Sequence, residues 1–201
     1  MSRSTKLEEI ISRIQLLHEQ LEDEFDKLFA EKQRQFHYHL DKGKVVFEQG
    51  VRELQKHYRT GIIKYLVHAK LKHILMAPLI YSVFFPIVLL DIFVSVYQHI
   101  CFRVFGIPRV RRGDYIIIDR QHLSYLNIIE KINCVYCGYG NGFVEYTREI
   151  FARTEQYWCP IKHAQRGHSF HDRAHKFADY GYAEEYKEKL KQLREELKNS
   201  I

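Results

Sequence analysis

From Ile74 to Tyr97 the chain runs ILMAPLIYSVFFPIVLLDIFVSVY, 24 residues with one formal charge, Asp91. About 20 mainly apolar residues suffice for a helix to cross the hydrocarbon of a bilayer, so the run is long enough. The alternative is a core helix buried on all sides. The rest of the chain is too polar to wrap such a helix, since 28% of the 201 residues are charged. Membrane association is therefore the favoured reading of the segment at 73–105.

Pro78 and Pro86 fall inside the run, Pro86 near its centre, and a proline removes a backbone donor and kinks a helix. Both flanks are basic: Lys64, Lys70 and Lys72 before, Arg103, Arg109, Arg111 and Arg112 after. The preference of Lys and Arg for the cytoplasmic side then places both ends together. This pattern predicts a re-entrant helix–break–helix wedge turning near Pro86, with a single kinked span as the alternative. Each half of a wedge is about a dozen residues, or roughly 18 Å, which reaches one leaflet only. Asp91 costs about 2.5–3.5 kcal/mol in hydrocarbon and needs protonation, a headgroup location, or a partner such as a tyrosine hydroxyl or a neighbouring chain. In FGIPRVRRGDYIIID, Gly106 and Pro108 end the helix, and DYIIID reads as a strand or an extended connection. Arg109, Arg111 and Arg112 are placed to neutralise anionic headgroups, at about 1 kcal/mol each. The net charge of +6 also suits nucleic acid, but the basic patch is short and adjoins apolar sequence. Membrane lipid is the expected partner and nucleic acid is not.

Few glycines and prolines, 10 and 4, point to a mainly α protein. Residues 1–72 read as amphipathic helix or coiled coil. Thr5 and Glu8 fit a capping box, and Leu7, Ile14, Leu21 and Leu28 recur every seven residues with Ile10, Ile11, Leu17 and Phe25 between them. A first helix is expected to about Leu40, a break at Asp41–Lys44 around Gly43, and a second helix through Val46, Phe47, Val51, Leu54, Tyr58 and Ile62. The pair forms an antiparallel hairpin, or a coiled coil that joins chains into a homo-oligomer or binds a helical protein partner. Residues 179–201 read as a charged helix with Ala183, Tyr186, Leu190, Leu193 and Leu197 on one face. It packs back on the N-terminal helices or stays solvated.

Three of the four cysteines lie in residues 106–178, in NCVYCGYGNG and WCPIKHA. The N-terminal MSRSTKLEEI lacks the features of a secretory signal, so reducing surroundings are expected, and paired cysteines then favour metal over disulfide. Cys134, Cys137, Cys159 and His163 follow C-x2-C-x21-C-x3-H, the paired spacing of a tetrahedral Cys3His zinc site. The alternative is reduced, packed cysteines. Helices are expected over 120–133 and 143–158, separated by the knuckle and a Gly-rich turn. His168, His171 and His175 form a second ion site or a solvated basic face. Glu130, Glu145 and Glu149 lack the Glu-x-x-His pattern of a di-iron site, and GYGNG lacks the strand, lysine and hydroxyl of a phosphate loop.

CVYCGY resembles the first loop of rubredoxin and WCPIKHA its second, with His163 where a further cysteine stands in that family. The C-x3-H ending is similar to the Cys3His [2Fe–2S] sites of CDGSH-type proteins. These resemblances imply iron or a [2Fe–2S] cluster as the alternative to zinc. More widely, the run from Ala77 through NCVYCGYGNG to EQYWCPIKHA resembles a family of uncharacterised bacterial membrane proteins. It implies a bacterial inner-membrane location with the soluble parts cytoplasmic, and no activity. Two functions are compatible with all this. The first is a membrane-anchored, non-enzymatic scaffold or assembly protein with a structural zinc and helical self-association. The second is an iron-binding electron-transfer protein serving a membrane partner. A lipid-acting enzyme using the histidines has no arrangement of nucleophile and base to support it.

Overall fold

The structure, a computed structural model, describes residues 3–41, 44–165, 171–179, 181 and 183–199. The chain divides into two units, Met1–Gly61 with His122–Asn127, and Ile62–Gln121 with Ile128–Ile201.

The first unit begins with α1, Arg3–Gln35. No glycine or proline interrupts these 33 residues, and Lys32 and Arg34 in the last turn face the negative end of the helix dipole. The side chains of Thr5, Leu7, Glu8 and Ile11 lie outside the described residues. The helix stops five residues short of the expected Leu40. His37 takes a left-handed conformation, φ 48°, and two antiparallel strands follow, β1 (Tyr38–Asp41) and β2 (Lys44–Phe47). Tyr38 pairs with Phe47 and Leu40 with Val45, and the rings of Tyr38 and Phe47 sit 5.6 Å apart. This hairpin replaces the expected helix break and the start of the second helix. β-branched Val45 and Val46 and a cross-strand aromatic pair suit a pleated ribbon better than a helix. Lys42 and Gly43, on which the break was expected, lie outside the described residues. Helix α2, Gln49–His57, follows, and its Gln55 Oε1 accepts a bond from the Ser124 N–H at 3.0 Å. The helical hairpin expected to cover α1 is not formed: Ile10, Ile14, Leu17, Leu21, Phe25 and Leu28 are all exposed, Leu21 by 65%.

The second unit starts with α3, Ile62–His68. Helices α4 (Leu71–Ser82) and α5 (Phe84–Tyr97), a π turn over Gln98–Phe102, and α6 (Arg103–Phe105) then join as one helix, Leu71–Phe105, of 35 residues. No re-entrant turn occurs at Pro86. Val83, the joint between α4 and α5, is itself right-handed (φ −62°, ψ −19°), and the Ile87 N–H still reaches the Val83 carbonyl at 3.3 Å. Pro86 falls in the first turn of α5, where a missing N–H interrupts little. Gly106 ends the helix in a left-handed conformation, φ 65°, which glycine adopts without steric cost. The Ile107 N–H bonds back to the Phe102 carbonyl at 2.8 Å.

The chain then doubles back along the helix it has left. Val110 N–H donates to Gln98 Oε1 at 2.7 Å, and Arg112 reaches Asp91. After this return segment comes α7, Ile128–Trp158, parallel to the apolar helix. Tyr81 bonds to Asn133, Tyr139 to Asp91, Gln98 to Tyr146 and Tyr97 to Thr154. The core between them is Val94, Phe102, Ile107, Val110, Phe143, Tyr146 and Ile150, closed by Leu197. The last belongs to α8, Ala183–Asn199, which packs on α7. Gln156 Nε2 donates to the Leu193 carbonyl, and the Arg194 guanidinium lies 4.6 Å from the centre of the Tyr157 ring.

Candidate functional site

The first half of the cysteine motif lies within the single helix α7. Expected were two helices with a knuckle and turn between them, the first starting near Arg120. Observed is one helix that begins at Ile128 and continues through Cys134, Cys137 and all of GYGNG to Trp158. Cys159 follows the last helical residue. At 1.5 Å per residue, Cys134 and Cys159 are about 37 Å apart along the axis, and Cys137 and Cys159 about 33 Å. The four expected ligands are therefore not brought together. Cys137, Cys159 and His163 are exposed and Cys134 is half-buried. Among the described residues no three His, Cys, Asp or Glu side chains are arranged to hold a metal ion. A Cys3His centre would require α7 to break between its two ends. The chain purified without added metal should therefore carry the same zinc, by mass spectrometric metal analysis, as its Cys134→Ser variant. Stoichiometric zinc lost on that substitution would contradict the continuous helix.

GYGNG serves packing. Gly138 and Gly142, one turn apart on α7, receive the returning segment at 115–118. A Cβ on Gly142 would lie 2.6 Å from the Tyr115 carbonyl oxygen and 2.7 Å from Ile116 Cα, and one on Gly138 would lie 3.1 Å from the Ile117 carbonyl oxygen. DYIIID is thus an extended connection laid on a helix, the second of the two expected forms.

Beyond α7 the chain crosses to a parallel bridge between Ile161 and Ala178. An open cleft of about 750 Å3 lies beside it, lined among others by Arg148, Glu155, His163, His171 and His175. His171 Nε2 is 2.7 Å from Glu155 Oε2, and His163 Nε2 is 4.0 Å from Glu155 Oε1. His171 Nδ1 is buried without a hydrogen-bond partner among the described residues. His175 joins the cleft wall, and His168 lies outside the described residues. Both imidazoles thus meet one carboxylate at the cleft wall, and among the described residues the set does not form a metal-holding group.

The segment at 171–177 is held to α7 by charge. Glu149 Oε1 accepts from Arg153 at 2.8 Å and from Arg173 at 2.7 Å, and Arg173 also donates to Gln156. Burial pushes the Glu149 carboxyl up, but the hydrogen bonds and charges of Arg173 and Arg153 outweigh it and hold the group below its ordinary value of 4.5. A carboxylate depressed in the folded state contributes stability that is present above its unfolded value and lost as the pH falls through the folded one. The denaturation midpoint should therefore fall on acidification below about pH 4.5. Glu149→Gln should flatten that dependence, and an unchanged slope would contradict the assignment.

Asp91 has found a partner within its own chain. Its carboxylate takes two bonds from the Arg112 guanidinium, one from Tyr139 Oη at 2.6 Å and one from Ser95 Oγ at 3.1 Å. A tyrosine hydroxyl was among the partners expected; Arg112, read from sequence as a headgroup ligand, was not. Arg109 is exposed and bonds His99 Nδ1 at 3.1 Å, and Arg111 is exposed. The outer face of the same helix is bare. Leu75, Phe85, Leu89, Phe93 and Ile100 are exposed, Phe85 by 75%, and only 11% of the most apolar 18-residue window is buried. The helix is long and apolar enough to cross a membrane, and it is not a core helix. No protein-family model, curated protein or solved structure matches the chain.

Proposed function

We propose that the protein is a membrane-anchored, non-enzymatic scaffold, held on the cytoplasmic face of a bacterial inner membrane and self-associating through α1. The observation that carries this reading is the uncovered apolar face of Leu71–Phe105. An exposed apolar surface of that extent is a docking surface, and lipid is the partner that suits a long stripe with basic ends. The second uncovered stripe, on α1, has the heptad spacing that pairs helices and the length for a second copy to lie along it. The reading rests on these two apolar faces and does not depend on a metal at Cys134, Cys137, Cys159 and His163.

Flotation tests both halves. The full chain should rise with vesicles of phosphatidylglycerol and phosphatidylcholine and be captured there as oligomers by a lysine cross-linker. Leu21→Glu should still float but cross-link as a monomer. Protein that stays at the bottom of the gradient removes the anchor, and oligomers that survive Leu21→Glu remove the role of α1.

A further inference from the structure

Resting on that membrane attachment, we propose that the Leu71–Phe105 helix lies in the plane of one leaflet, its outer face in the acyl chains and anionic headgroups at its edges, and does not cross the bilayer. Three observations lead there.

The first is length. Leu71, Leu75, Phe85, Phe93, Ile100 and Val104 are all exposed and fall on one side of the helix at 100° per residue. The stripe they mark covers 33 residues' advance, about 50 Å at 1.5 Å per residue. The hydrocarbon of a bilayer is about 30 Å thick, so a crossing helix would leave about 20 Å of the stripe in water or tilt beyond the roughly 40° that spanning helices reach. A helix lying in the interface has no such limit.

The second is the opposite side, which carries charge near its middle. Arg112 sits at Asp91. Arg120 lies beside Gly138, which in sequence stands between Tyr136 and Tyr139, both of which touch Phe84. A crossing would draw both levels into hydrocarbon, each at a cost of about 2.5–3.5 kcal/mol per charged residue. With the helix in plane, both levels face water while the apolar stripe faces lipid.

The third is the charge at the edges. Lys72 and Arg103 are exposed; by the same 100° spacing Lys72 falls about 40° outside the stripe on one side, and Arg103 falls at the azimuth of Phe85, on its opposite margin. Exposed Lys70, Arg109 and Arg111 extend both ends. Long basic side chains at the rim of an apolar face reach the phosphates of an anionic surface.

The depth of single tryptophans separates the two geometries. Trp158, the one native tryptophan, is replaced by phenylalanine. Leu75→Trp, Leu89→Trp and Ile100→Trp are then made singly in the full chain. Each is reconstituted into phosphatidylglycerol–phosphatidylcholine vesicles whose lipids carry bromine either near the headgroup or near the chain end. Circular dichroism matching the wild type qualifies each variant, and replacement of a neighbouring exposed residue (Phe93→Trp) substitutes for any that does not. In-plane placement gives the same ratio of shallow to deep quenching at all positions, with the shallow lipid quenching more. Deep quenching that peaks at Leu89→Trp and falls towards both ends means a crossing, which overturns this inference and leaves the anchor standing. No quenching at any position overturns both.

Discussion

Arg112→Ala should destabilise the second unit by about 3 kcal/mol, the lower end of the range for breaking a buried ion pair. The lower end applies because the pair is unequal: the Asp91 side chain is 10% exposed and that of Arg112 45%. Removing the guanidinium leaves the carboxylate, 10% exposed, with Tyr139 and Ser95, two neutral donors. The cost is that of a charge left without its counter-charge, not the worth of the pair. The double variant Asp91→Asn/Arg112→Met should therefore recover most of the loss, since neutralising both partners removes the stranded charge. Urea denaturation in mild detergent reads both. A single variant within about 0.5 kcal/mol of the wild type, the spread of ordinary surface substitutions, would mean that the pair carries no stability.

The glycines of α7 should respond to alanine with opposite signs. Gly140→Ala should stabilise by up to about 1 kcal/mol, the ordinary gain for removing a glycine from a helix interior. Its new methyl would meet only Ile87 Cδ1, at 3.9 Å. Gly142→Ala gains the same propensity but places its methyl 2.6 Å from the Tyr115 carbonyl oxygen and 2.7 Å from Ile116 Cα. Both are backbone atoms, so the return segment must move, and overpacking of this kind costs about 1–3 kcal/mol. Movement there also disturbs the Arg112 contact, three residues upstream of Tyr115. Gly138→Ala, with its closest approach at 3.1 Å to the Ile117 carbonyl oxygen, should fall between. Thermal unfolding of the three variants gives the order, and a Gly142→Ala as stable as Gly140→Ala would refute the close packing.

The long apolar helix was legible because composition alone decides it: 24 residues with one charge leave few folds open. The C-terminal helix was legible from its start at Ala183, where charge and apolar spacing change together, but its partner was not, because Leu193 and Leu197 carry no mark of what they touch. The continuous helix through the cysteine motif was not legible, for a physical reason. Two residues three apart lie on one face of a helix as readily as in a metal knuckle, so C-x2-C decides nothing by itself. The weight fell on GYGNG, where glycines usually weaken a helix. Here Gly138 and Gly142 are one turn apart, and the absence of a side chain admits a neighbouring backbone. That four-residue spacing was the available signal. The hairpin at 38–47 had one as well, in DKGK between Tyr38 and the pair Val45 and Val46. The Asp91–Arg112 pair had none, because a 21-residue separation matches no local pattern. Only the cost of a lone aspartate in apolar sequence said that it needed protonation, a headgroup location or a partner.

The parallel arrangement of the apolar helix and α7 also sets a timetable for synthesis. A ribosome releases the chain from its N-terminus, so the helix emerges whole before the segments that cover its inner side. Arg112 follows Asp91 by 21 residues and Tyr139 by 48. Through that interval the nascent chain presents both sides of an apolar helix, with Asp91 still unneutralised, to whatever is nearby. Hydrophobic surface exposed in this way is prone to aggregate, so on the membrane reading proposed above early capture by a bilayer protects the newborn chain. Only when the Tyr139 turn of α7 has left the exit tunnel can the polar side close and leave a single apolar face exposed.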